Sequence, residues 1–175
     1  MTVYIVDIEA VDTRYTSQWK EHLPKQLQKH LHQTNDVVTI SGGDTPQTTT
    51  PGAFLNFGGT NVYKSNQLEQ IGKMFCDGKI KDGDYFLYTD AWNPTVIQLK
   101  YMAELLGVKI KIGGMWHAGS YDPADFLGRL IGDASWVRNA EMSMYDCYDD
   151  NFFATKFHID MFTNTFWNDD RDIDR

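Results

Sequence analysis

The spacing of apolar residues alternates between two periods along this chain. Residues 2–8 (TVYIVDI) form a near-continuous apolar, β-branched run, the pattern of a buried strand. A helix then follows, with Thr16 as its cap, His32 near its end, and Trp19, Leu23, Leu27 and Leu31 recurring every four residues. Pro24 falls inside that stripe and predicts a kink or two abutting helices. Residues 36–40 read as a second strand, residues 41–51 as a loop rich in Gly, Thr and Pro, and residues 53–57 as a short strand ahead of Gly58 and Gly59. Ser65 is placed as the cap of a helix carrying Leu68, Ile71 and Phe75 and ending near Gly78.

The second half repeats the alternation. Residues 84–89 (DYFLYT) predict a strand. Asn93, Pro94 and Gly107 then frame the best-specified helix in the chain, with Pro at its first position and Gly at its terminus. Residues 108–112 (VKIKI) predict the next strand and 116–122 its outgoing loop, with short helices over 123–131 and 134–145. A last strand over 151–155 and a last helix over 157–166 complete the pattern. Parallel neighbours need crossovers, and helices supply them. The expectation is therefore one α/β domain over 1–166, a Rossmann-like doubly wound, mainly parallel sheet with helices on both faces, followed by an acidic tail at 167–175. Ligands of such sheets bind beyond the carboxyl ends of the strands, which ranks the loops before any chemistry is considered.

Charge and cysteine content narrow the setting. The formal net charge is −8, and eight Asp against one Lys and two Arg place −5 of it in residues 143–175. Such a surface lacks the counterion-releasing contacts that drive affinity for nucleic acid. No apolar run is long enough for a membrane span. The first residues read as a strand rather than a leader. Two cysteines, Cys76 and Cys147, fit a reducing, cytoplasmic setting better than a secreted disulfide framework, and Cys76 beside Met74 and Phe75 reads as packing.

Candidate chemistry concentrates in the strand-end loops. The run 113–122 (GGMWHAGSYD) holds His117, the one histidine expected in such a loop, and imidazole is the commonest general base. Gly113, Gly114 and Gly119 would let that loop close on a ligand, and Ser120 and Tyr121 add polar groups, while Asp122 reads as a helix cap. Asp90 ends its strand as a ligand carboxylate or a cap, and Trp92 as a stacking platform or a buried staple. Arg14 could clamp an anion or pair with Asp12 or Glu9. Gly42-Gly43 and Gly58-Gly59 could bring backbone amides to a ligand, or be ordinary turns. His22 reads as exposed, and His30 and His32 point apart. Asp172 and Asp174 match a D-x-D spelling but lie in the tail, so no metal site and no cofactor is expected. G-x-G-x-x-G, G-x-S-x-G and Walker sequences are all missing.

The run VKIKIGGMWHAGSYDPADF, followed by NFFATKFHIDMF, resembles the amino-terminal half of GT-B glycosyltransferases, and phage DNA-modifying glycosyltransferases in particular. The likeness covers roughly residues 84–166. It implies an acceptor-side domain that works with a nucleotide sugar and a hydroxyl acceptor, modified DNA being one such acceptor. His117 would be the base, Asp90 a second catalytic residue, and no metal would take part. In that family a second domain binds the nucleotide sugar through a basic pair and a glutamate. These 175 residues do not include it, so a second domain or subunit is expected to supply it. Two rival expectations stand beside this one. The first is a nucleotide or small-molecule binding domain without transfer. The second is a subunit that docks a partner through Trp136, Tyr145, Tyr148 and Trp167.

Overall fold

The structure is a computed structural model and describes residues 1–11, 15–31, 36–46, 48–53 and 55–167. Five parallel strands lie in the order β2-β1-β3-β4-β5, where β1 is Thr2–Val6, β2 Asp36–Ile40, β3 Tyr85–Tyr88, β4 Lys111–Trp116 and β5 Asp150–Phe153. Helices α1 (Tyr15–His30), α2 (Phe57–Cys76), α3 (Thr95–Leu106), α4 (Phe126–Ile131), α5 (Ser135–Cys147) and α6 (Lys156–Trp167) make the crossovers and close the chain. This is the α/β doubly wound architecture the alternation predicts. In this order the chain leaves β1 for β2 on one side and returns to β3 on the other. The switch point lies between β1 and β3.

Tyr4, Val6, Phe86, Tyr88, Ile112 and Trp116 form one face of the sheet. They pack against Ile71 of α2, Val96 and Leu99 of α3, Met144 of α5 and Phe162 of α6. The opposite face meets the predicted stripe of α1: Trp19, Leu23, Leu27 and Leu31 face Val3, Leu87, Met115 and Phe152 across an apolar groove of about 370 Å³. Asp12–Arg14, His32 and residues 168–175, which include Asp172, Asp174 and nearly all of the expected tail, lie outside the described residues.

Several boundaries differ from expectation, each for a local reason. Of the expected strand at 53–57, Ala53, Leu55 and Asn56 are not in a strand and Phe57 is helical, while Phe54 lies outside the described residues. α2 starts at Phe57, so Gly58 and Gly59 sit in its first turn. Asn56 caps it by accepting the Gly59 amide at 2.8 Å, and Ser65 is internal. Thr16 likewise lies inside α1, where its hydroxyl accepts the Val11 amide at 3.2 Å. Pro24 also lies within α1, which runs as one helix from Tyr15 to His30. The fourth strand is Lys111–Trp116 rather than 108–112, because the start of VKIKI is taken up in closing α3. Gly107 turns left-handed (φ 69°), and the Val108 amide bonds to the Ala103 carbonyl at 2.9 Å. Gly113 and Gly114 are consequently strand residues, not loop hinges. A Cβ on Gly113 would collide with the Tyr85 hydroxyl, and one on Gly114 would lie 2.7 Å from the Tyr148 ring. Asp125, not Asp122, caps α4 by accepting the Leu127 amide at 2.9 Å. Asp122 instead closes the preceding turn on the Ala124 amide. Cys76, expected to pack, is exposed.

Candidate functional site

A cleft of about 830 Å³ opens over the carboxyl ends of β1, β3 and β4. Its floor consists of the residues that leave those strands: Ile8 and Glu9, Asp90 and Trp92, His117 and Ala118. The first turns of α2 contribute Phe57, Thr60 and Lys64, and α4 with the start of α5 adds Phe126, Leu130 and Trp136. The switch-point rule and the observed cleft therefore coincide.

Thr89 joins the three strand ends. Its hydroxyl accepts the Ile8 amide at 2.8 Å, and its carbonyl meets His117 Nε2 at 2.6 Å. A carbonyl can only accept, so Nε2 is the donor in this bond and Nδ1 is the ring nitrogen left for another partner. Tyr15 and Trp19 flank the imidazole, with ring centroids 5.4 and 6.2 Å away. The bond to Thr89 and the two flanking rings restrict the orientation of the imidazole.

Asp90 is half-used by the fold. Its Oδ1 accepts the Trp92 amide at 3.1 Å, and its Oδ2 lies 3.3 Å from Lys64 Nζ. Lys64 also donates to the Trp92 carbonyl at 2.7 Å. Asp90 does not cap α3; that role falls to Asn93, whose Oδ1 accepts from the Thr95 amide and hydroxyl at 3.2 and 2.8 Å. Trp92 combines both of its expected roles. It lines the cleft, and its indole is pinned from behind by Glu141.

Ser120 and Tyr121 turn inward instead of into the cleft. Both are buried. The Ser120 amide and hydroxyl donate to the two Glu141 oxygens, each at 2.6 Å. Tyr121 bonds to His158 Nε2 at 2.7 Å. Burial, followed by the Glu141 charge, pushes the Tyr121 phenol well up, and burial pulls His158 down, so both shifts favour the uncharged forms of this pair. Gly42 and Gly43 lie outside the cleft walls. A Cβ on Gly42 would strike the Tyr63 backbone, and Gly43 has φ 87°. Gly59 packs on Pro46, where a Cβ would come within 2.7 Å of the ring. Arg14 lies outside the described residues.

Three groups escaped sequence reasoning. Glu141 is fully buried on the α5 stripe Val137–Glu141–Met144, and burial raises its carboxyl pKa against the pull of its donors. Gln67 occupies the same kind of position in α2, between Tyr63 and Ile71, and its amide reaches Asp7 and the Ile40 carbonyl. Asp7 accepts the Tyr63 hydroxyl and pairs with Lys20 at 3.1 Å. Burial raises its pKa despite those partners. This network fixes the turn out of β1 and so positions Glu9. A polar residue interrupting an apolar stripe is the signal that could have found Glu141 and Gln67.

Among the described residues no group of three His, Cys, Asp or Glu side chains could hold a metal ion, and no helix is long and apolar enough to cross a membrane. Comparison with protein-family models, curated proteins and solved structures returned no match.

Proposed function

We propose that the domain binds a hydroxylated ligand, a sugar or a nucleoside, in the switch-point cleft. Within that reading it serves as the acceptor-side half of a glycosyltransferase, with His117 taking the acceptor proton. The observation that carries the reading is the convergence of Asp90, Trp92 and an oriented His117 at the ends of β3 and β4. Carboxyl groups accept hydrogen bonds from hydroxyls, and an aromatic face covers the apolar face of a sugar or base.

The charge of the lining supports the acceptor side over the donor side. Glu9, Asp90, Asp122 and Asp125 line the cleft, and Lys64 is already committed to Asp90 and the Trp92 carbonyl. Such a lining repels a diphosphate, so the nucleotide sugar would sit on a second domain or subunit. The partner-docking alternative loses two of its four aromatics, because Tyr148 is buried and Tyr145 packs against Phe162. Trp136 and Trp167 remain exposed.

Two measurements test the reading: binding of a hydroxymethylated nucleoside by this domain, and sugar transferred to it from UDP-glucose once a donor-binding domain or subunit is joined to the domain. Transfer that falls about 10²–10⁴-fold in His117→Ala is the expected result. Acceptor binding with no sugar consumed would favour a binding domain without transfer.

A further inference from the structure

The turn out of β1 sets Glu9 between two spaces. The side chain lines the large cleft and also a small chamber bounded by Val11, Pro46, Leu55 and Thr60. Glu9 is 3% exposed. Its Oε1 accepts the Thr60 hydroxyl, while its Oε2 is fully buried and has no hydrogen-bond partner among the described residues. A buried carboxyl oxygen without a donor works against folding, so its position on a cleft wall needs a reason. The chamber holds about 20 Å³. That is room for one water molecule or one hydroxyl group.

We infer that Glu9 is a specificity residue of the cleft: its Oε2 accepts a hydrogen bond from one hydroxyl of a bound polyol, and the chamber receives that hydroxyl. The inference rests on the reading of the cleft as a site for hydroxylated ligands and adds the group that selects among them. A site that leaves a buried acceptor waiting for a hydroxyl rejects the analogue lacking it, because the acceptor then stays unpaired. Thr45, Thr49, Asn56 and Thr60 line the chamber beside Val11, Pro46 and Leu55, so apart from Glu9 its wall is uncharged and partly polar, which suits a neutral hydroxyl and offers an anion no counter-charge.

Titration calorimetry with methyl β-D-glucopyranoside and its four monodeoxy analogues tests this, using wild type, Glu9→Gln, Glu9→Ala and Trp92→Ala. The expected result is that wild type binds the glucoside and binds one monodeoxy analogue about tenfold more weakly or worse. In Glu9→Ala the parent glucoside falls to the level of that analogue, and the analogue itself is unaffected. The melting temperature of the isosteric Glu9→Gln should equal or exceed that of wild type, which separates lost binding from lost folding. Wild-type binding that Trp92→Ala weakens but Glu9→Ala leaves unchanged overturns the inference and spares the cleft reading; the chamber then holds water only. No binding by wild type, or binding indifferent to Trp92→Ala, overturns both. If the Glu9 variants fail to fold, the wild-type series decides alone: equal affinity for all four analogues overturns the inference.

Discussion

Trp92 and Glu141 are 49 residues apart in sequence and meet through one hydrogen bond, indole Nε1 to Oε1, at 2.7 Å. The same carboxyl group holds the amide and hydroxyl of Ser120. One buried side chain on α5 thus fastens the loop after β3 to the loop after β4, the two loops that bring Trp92 and His117 to the cleft.

Removing that clasp should be costly. Glu141→Ala leaves three donors without an acceptor in a fully buried position, and it should lower stability by about 3 kcal/mol. Urea denaturation measures it. An unchanged midpoint would mean that the two loops hold their places without Glu141.

The clasp should also respond to pH. Burial raises the Glu141 carboxyl pKa in the folded protein, so the folded state binds its proton more tightly than the unfolded chain does. The contribution is therefore greatest below the ordinary carboxyl range and is lost as pH rises through the folded value. Relative to Glu141→Gln, wild type should gain stability as pH falls from neutrality and level off below the ordinary range. Asp7 and Asp125, also raised by burial, act in the same direction. His158, lowered by burial, acts in the opposite one, with stability lost as pH falls through its ordinary value of 6.5. All three are present in both proteins and cancel in the difference. A stability difference independent of pH would contradict the assignment.

Two glycines should behave in opposite ways. Gly114→Ala pushes a methyl group into the buried Tyr148 ring, whose hydroxyl is held by the Ala91 carbonyl at 2.9 Å. It should cost about 1–3 kcal/mol. Gly72 lies inside α2 with nothing within 4 Å of an added Cβ, so Gly72→Ala should stabilise by about 0.5–1 kcal/mol. Thermal unfolding of the two variants against wild type reads both signs. A tolerated Gly114→Ala would show that the Tyr148 ring can move aside.

Much of the fold was legible because hydrophobic period and helix punctuation agreed. The stripe Trp19–Leu23–Leu27–Leu31 lines one groove as its spacing implies, and Gly107 ends α3 in the left-handed conformation. The boundary errors arose where a local signal was overridden by hydrogen bonding. VKIKI alternates like a strand, yet its first amide closes a helix. The candidate site was legible in part. Strand-end position located Asp90, Trp92 and His117, but nothing local told Ser120 and Tyr121, which face inward, from residues that face a ligand. Glu9 and Lys64 were hidden because their partners come from other elements: Thr60 lies 51 residues from Glu9, and Asp90 lies 26 from Lys64.

Asn93→Ala should lower stability by about 1 kcal/mol. Its side chain accepts from both the amide and the hydroxyl of Thr95 at the start of α3, in a buried position. The urea midpoint again decides, and no change would show that Pro94 and the Thr95 hydroxyl suffice to start the helix.

On the proposed reading, ligand binds in the cleft at the switch point and not in the apolar groove under α1. Titrating ¹⁵N-labelled protein with methyl β-D-glucopyranoside and following amide and indole resonances tests it most directly. Shifts should concentrate on the Trp92 indole and on the amides of Asp90, His117 and Ala118, all of which line the cleft. Shifts confined to Leu23, Leu87, Met115 and Phe152 around the groove, or no shifts at all, would contradict it.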